Sequence, residues 1–191
     1  MPCDRDTVLR DLSQADREAQ DVVRGLSDEQ LNWQPNGGKA WSVAQCLDHL
    51  AKANTVYAAA MRAAVRNRKF DVHAVETSIR PGWFESYFIK TLDAPPNRRL
   101  KSPKKIVPSA KLKGVEVLQA FLSSQEDIRA FIQASKHIDL NQVRFKNPFV
   151  SIFRFSLGAG LLILAAHDRR HLWQAQQTRS ALPTCEFRPA T

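Results

Sequence analysis

His167 and His171 stand four residues apart in the run Ala166-His-Asp-Arg-Arg-His-Leu-Trp-Gln174. On a helix that spacing puts two imidazoles one turn apart on one face, which suits two ligands of a single metal ion. His49, in Trp41-Ser-Val-Ala-Gln-Cys-Leu-Asp-His-Leu50, is a third candidate on another helical stretch. Three neutral imidazoles can hold a divalent cation and leave coordination positions open for chemistry. Such ligands leave the ion its full dipositive charge, so the site favours anions and lowers the pKa of a bound water or thiol. The rival reading is a set of helix histidines hydrogen-bonded to neighbouring side chains. The residue after His167 is Asp168, not the glutamate of a His-Glu-x-x-His zinc protease.

The surroundings of these residues bear on the choice. Leu157, Leu161, Leu164, His167, His171, Gln174 and Thr178 fall on one stripe of a helix expected from a cap at Ser156 to about Ser180. The histidines continue the core face, where burial costs desolvation unless each ring finds partners. A metal is one partner; a hydrogen bond on the far ring nitrogen is the other. Gln45 and Cys46 lie about one turn before His49, and either could face the same cavity, as could Gln174. Cys46 reads as a fourth ligand or as a small buried apolar side chain. Gln125 is a further candidate polar group for the cavity. Asp168 reads as an acceptor behind the ligands or as a partner of Arg169, Arg170 or Arg24, and Asp48 as half of a surface pair. The general base is open among Glu126, Asp127, Asp16 and Glu18, so no catalytic side chain is assigned. His73 and His137 read as solvent residues.

Four helical patterns must position this set. Val8, Leu12, Ala15, Ala19, Val22 and Leu26 define the first. Leu26-Ser-Asp-Glu-Gln-Leu-Asn-Trp33 then predicts a short turn-like helix, closed by Pro35-Asn-Gly-Gly38. Ser42 with Gln45 is a capping-box pattern that starts the second helix, expected to run from Val43 to about Asn67. The third is expected from Gly114 to Ser135, followed by an irregular stretch around Asn147-Pro148. Residues 68–113 carry five prolines and no sustained helical period, apart from a short helix expected at Phe84–Thr91. They read as a long crossover, of the kind found in bundles whose successive helices are not simple antiparallel neighbours.

Length and composition limit the rest. At 191 residues, one domain is expected over 1–191, with its core at about 5–180. No secretory signal is apparent, and the longest apolar run, Phe155 to Ala166, is too short to span a bilayer. Three cysteines, Cys3, Cys46 and Cys185, with no Cys-x-x-Cys, favour free thiols in a reducing, cytoplasmic setting. The net charge is +9. Between Asp93 and Glu116 no acidic residue occurs, while Arg98, Arg99, Lys101, Lys104, Lys105, Lys111 and Lys113 accumulate. That run reads as a phosphate or nucleic-acid patch, a solvated loop, or a field that steers an anionic substrate. Nucleic acid is disfavoured, because no binding motif or interleaved aromatics accompany the charge.

Taken together, Trp41–Leu50, Ala166–Gln174 and Leu26–Trp33 resemble the DinB-like (YfiT-type) family of four-helix bundles, over roughly residues 5–180. The resemblance implies an all-α four-helix bundle with a long connection between its second and third long helices. It implies a divalent metal, commonly zinc or nickel with iron or manganese as alternatives, held by His49, His167 and His171. It also implies frequent homodimers, and activities that include metal-dependent hydrolysis and transfer or isomerisation with low-molecular-weight thiols. The expectation is therefore a metal-dependent enzyme on a small molecule. Hydrolase is the leading class, a thiol-dependent S-transferase the second, and a metal-free interaction or nucleic-acid-binding bundle the third.

Overall fold

A computed structural model describes residues 3–66, 78–96 and 101–183. His73, Arg98, Arg99 and Cys185, and so part of the expected basic run, lie outside the described residues. In chain order the helices are α1 (Arg5–Val23), α2 (Asp28–Asn32), α3 (Pro35–Gly38), α4 (Val43–Val65), α5 (Trp83–Leu92), α6 (Gly114–Ala134) and α7 (Leu157–Ser180). A 3-10 turn spans Lys104–Ile106, and two short strands, β1 (Arg144–Lys146) and β2 (Arg154–Ser156), precede α7. The long helices α1, α4, α6 and α7 form the bundle. No helix among the described residues is long and apolar enough to cross a membrane.

The helix starts follow from local side-chain chemistry. The Asp4 carboxylate accepts from Thr7 N at 2.8 Å at the head of α1. Ser42 accepts from Gln45 N at 3.1 Å while the Gln45 side chain accepts from Ser42 N at 3.1 Å, closing the capping box of α4. Ser27 and Gln30 repeat the device on α2. Ser156 caps α7 by accepting from Ala159 N. At the other end of α1 the expected stripe overshoots by one turn. The helix stops at Val23, and Gly25 takes a left-handed φ of +75°, a conformation glycine adopts without steric cost. Leu26 packs on the core from the connection instead.

Helix order decides whether a site can form. α4 packs against α6 and α7, while α1 packs against α7 and α6. Going round the bundle the order is α1, α7, α4, α6, so α1 and α4 face each other diagonally. Successive long helices are not all neighbours, and α4 and α7, the two histidine helices, lie side by side.

The stretch expected to be irregular contains an antiparallel hairpin, with Phe145 opposite Phe155. Strands of three residues are too short for an alternating pattern to show in the sequence. Asn147 holds its turn, accepting from Phe149 N and Val150 N and donating to the Tyr57 hydroxyl. Phe155 is fully buried among Phe84, Phe88, Phe145 and Phe153. Glu85 ties α5 to this end: its carboxylate accepts from Gly82 N, Ser156 N and Arg144. Gly160 lets α7 approach the hairpin, since a Cβ there would lie 2.6 Å from Phe145 Cε1.

Candidate metal centre

His49 enters from α4, and His167 and His171 from successive turns of α7. Their ring centroids are 4.9 Å (His49–His167), 4.6 Å (His49–His171) and 4.7 Å (His167–His171) apart. One ligand atom from each lies within 4.8 Å of the others, and His49 Nε2 is 3.1 Å from His167 Nε2. His49 and His171 are buried, and His167 is half-buried, so the cluster meets solvent on the His167 side. Among the described residues this is the one group of three or more His, Cys, Asp or Glu side chains close enough to share an ion.

Two of the rings have their far nitrogens spoken for. His49 Nδ1 lies 2.7 Å from the Ile106 carbonyl. That oxygen can only accept, so Nδ1 carries the proton and the Nε2 lone pair faces inward. His171 Nδ1 lies 3.0 Å from Gln174 Oε1, with the same consequence. Trp41 closes one flank, with its ring 4.7 Å from His49 and stacked 5.4 Å from His171.

The electrostatics disfavour protonation of the three rings. Burial pushes the pKa of His167 and of His171 well below the ordinary imidazole value, and each ring is further depressed by its histidine neighbours and by Arg170. Burial also lowers that of His49, against an opposing pull from its bond to Ile106 and from the Asp48 charge. Neutral imidazole is the form that binds metal. Zinc–nitrogen bonds of about 2.0–2.1 Å in a tetrahedron set nitrogens about 3.3 Å apart. The 3.1 Å separation of the two Nε2 atoms is close to that span, and the ligand atom of the third ring lies within 4.8 Å of both. The donor set fits a divalent ion of borderline softness.

The other singled-out residues fall into different roles. Gln45 is engaged in the α4 cap and also accepts from Gln34 at 2.9 Å. Cys46 is fully buried among apolar side chains that include Ala19, Leu47 and Phe121, and burial pushes its thiol pKa up. That environment matches the small-apolar reading, and Cys46 is not in the group that can share an ion. Gln174 meets the cluster through His171. Asp48 forms the expected surface pair with Lys52 at 2.7 Å. His137 is exposed, as expected. Of the four candidate bases, Asp16 and Glu126 bond Arg129, Asp127 pairs with Arg62, and Glu18 accepts from Gln14. Arg169 pairs instead with Asp93 and Asp11. The Ile106 carbonyl and the Trp41 ring went unforeseen. A backbone acceptor from an aperiodic segment leaves no mark in sequence, whereas Trp41 sits inside the His49 motif.

Asp168 turns to the bundle interior and away from the arginines considered for it. It is 1% exposed and accepts from Gln125 Nε2 at 2.9 Å, so α7 is bonded to α6. Burial raises its pKa to about 7, despite the hydrogen bond from Gln125 that pulls it down. A raised native pKa means the folded state binds the proton more tightly than the unfolded chain. The resulting stability is full below pH 3.8 and is lost as pH rises towards 7. Asp168→Asn is therefore expected to flatten this part of the pH profile of chemical denaturation, by up to about 4 kcal/mol between pH 4 and 7.

A second expectation concerns Gln174. Gln174→Ala removes the acceptor that orients His171, and the loss of such a partner weakens metal affinity by about 10- to 100-fold. Competition against a chromophoric chelator measures this, with saturating stoichiometry expected to be unchanged.

The model of the DinB superfamily matches residues 11–175, and the chain belongs to that superfamily. Among solved structures it resembles YfiT from Bacillus subtilis, with a TM-score of 0.59 at 15% identity, covering 91% of this chain and 84% of that one. That protein is described as "a probable metal-dependent hydrolase with an unusual four-helix bundle topology". At this identity the likeness establishes the all-α bundle fold. No curated protein matches the chain.

Proposed function

We propose that this protein is a metal-dependent hydrolase acting on a small molecule, with His49, His167 and His171 as the ligands of one divalent ion. The observation that carries the reading is the convergence of three neutral imidazoles from two helices, separated by 118 residues of chain between His49 and His167. The description of YfiT as a probable metal-dependent hydrolase, on the same fold, supports the reaction class. Zinc or nickel is the metal that the family resemblance implies, and imidazole donors suit both. We infer a cytoplasmic homodimer, as is frequent in the family.

A divalent ion supplies Lewis acidity and lowers the pKa of a bound water or thiol. The chain's own residues prepare the place for it. Ile106 and Gln174 hold the protons of His49 and His171 on Nδ1, aiming both Nε2 lone pairs inward. Trp41 screens one flank from water. The half-buried His167 marks the side from which substrate enters. Among the described residues no carboxylate shares the group, so an ion held by the three histidines would keep its positive charge and could offset negative charge on a bound substrate.

The test is elemental analysis of untagged protein, followed by a screen of esters and amides with and without a low-molecular-weight thiol. About one ion per chain and thiol-independent turnover are expected. Strictly thiol-dependent turnover would move the assignment to the S-transferase class, and protein with no bound metal would contradict it.

A further inference from the structure

Large apolar side chains that the core leaves out gather at one end of the bundle, where α5 meets the β1–β2 hairpin. Trp83 is 85% exposed, Ile152 81%, Tyr87 60% and Val150 42%. Trp83 and Tyr87 stand one turn apart on the outer face of α5, and the exposed Lys90 continues that stripe. The inner face of α5 packs through Phe84 and Phe88 onto Phe155. The Trp83 ring lies 6.0 Å from that of Phe84, which in turn lies 5.0 Å from that of Phe153. Ile152 and Arg154 flank Phe153 in the chain, and the Val150 carbonyl accepts from Phe153 N at 2.9 Å. The helix stripe and the hairpin turn are therefore neighbours.

Positive charge accompanies these apolar groups. Residues 78–92 and 142–156 hold Arg80, Lys90, Arg144, Lys146 and Arg154 against a single acid, Glu85. Glu85 is buried and already bonded to Gly82 N, Ser156 N and Arg144. Lys146 and Arg154 stand opposite each other across the hairpin, on the face turned away from the buried Phe145–Phe155 pair. Like charges so placed repel. Neither residue, nor Lys90, forms an ion pair among the described residues. An anionic partner relieves that repulsion.

A second copy of this chain is a poor occupant, because a two-fold contact sets the patch against itself, cations on cations. Stacked bases would use Trp83 and Tyr87 but leave Ile152 and Val150 in water. A bilayer uses all of them: indole and phenol rings suit its headgroup level, aliphatic side chains its acyl boundary, and lysine and arginine its anionic headgroups. We infer that this end of the bundle docks peripherally on a bilayer containing anionic lipid. Trp83, Tyr87 and Ile152 enter the headgroup level, and Lys90, Lys146 and Arg154 meet the lipid phosphates. Docking here does not depend on a bound metal, since none of these residues belongs to the histidine cluster.

The experiment is co-sedimentation of the full-length protein with vesicles of phosphatidylcholine alone, or with about a third phosphatidylglycerol, at roughly 0.1 M salt. Binding to the anionic vesicles is expected to be about ten-fold or more tighter than to the neutral ones. Trp83→Ser/Ile152→Ser and Lys146→Gln/Arg154→Gln should each weaken it by about ten-fold or more, with circular dichroism unchanged. Val115→Ser removes an equally exposed apolar side chain from another part of the surface and should leave binding as it was. Equal binding to the two vesicle types, or anionic binding that survives the Trp83/Ile152 change, would overturn the inference. So would a lipid-free dimer that dissociates in the Trp83/Ile152 variant, or a single-stranded oligonucleotide bound more tightly than the vesicles through the same residues.

Discussion

His49→Ala is expected to lower bound metal from about one ion per chain to less than about a tenth after dialysis, with helical content preserved. Structural zinc binding is worth about 10–16 kcal/mol over four ligands. Loss of one donor from three therefore removes on the order of 3 kcal/mol, or about two orders of magnitude in affinity. The fold should tolerate the change. The His49 ring meets Trp41 and the two other imidazoles, and its polar bonds reach one backbone carbonyl and another ring, so no apolar core packing rests on it. Removing it also relieves the desolvation of one imidazole. The same loss of metal is expected for His167→Ala and His171→Ala, because each supplies one donor of the same group. Elemental analysis alongside far-ultraviolet circular dichroism checks all three. A His49→Ala protein that keeps a full equivalent of metal would remove His49 from the ligand set.

Phe155→Ala is expected to do the reverse, costing about 3–5 kcal/mol of stability while leaving metal stoichiometry intact in the folded protein. Phe155 is fully buried and meets four other phenylalanines, two from the hairpin region and two from α5. Its truncation leaves a void where α7, α5 and the hairpin join. His167 lies ten residues beyond the first residue of α7, Leu157, about 15 Å along the helix axis, beyond the reach of local repacking. Urea unfolding measures the loss, and metal content at low temperature measures the independence of the site. Loss of metal from the folded variant would show that the two ends of α7 are not separable.

The parts of this molecule that were legible in its sequence are those where a few residues settle their own geometry. Ser42 with Gln45, and Ser156 before a long apolar run, mark the starts of α4 and α7 because a side-chain oxygen satisfies amides three residues on. The His-x-x-x-His spacing places two rings on one face by helix geometry alone. The stripe of α7 showed that this face is the core face. The illegible parts depend on tertiary placement. The adjacency of α4 and α7 is a property of bundle topology, and a helical period is silent on which neighbour a face meets. The DinB resemblance carried that information where periodicity could not. The carbonyl that holds His49 comes from a proline-containing segment with no period, so only coordinates reveal it. The β1–β2 hairpin pairs three-residue strands across a turn held by Asn147, below the length at which alternation becomes a signal. Asp168 read either as an acceptor behind the ligands or as a partner for the nearby arginines; a helix turns successive residues by about 100°, and the side chain accepts from Gln125.

Cys46 lies within a turn of His49 on α4, and a thiolate and an imidazole make different predictions for the ligand shell. X-ray absorption at the metal edge of the zinc- or nickel-loaded protein separates them. Three imidazole nitrogens are predicted, at about 2.0–2.1 Å for zinc, with the remaining scatterers oxygen and none sulfur. A sulfur scatterer at about 2.3 Å, or fewer than three imidazoles, would contradict the three-histidine site.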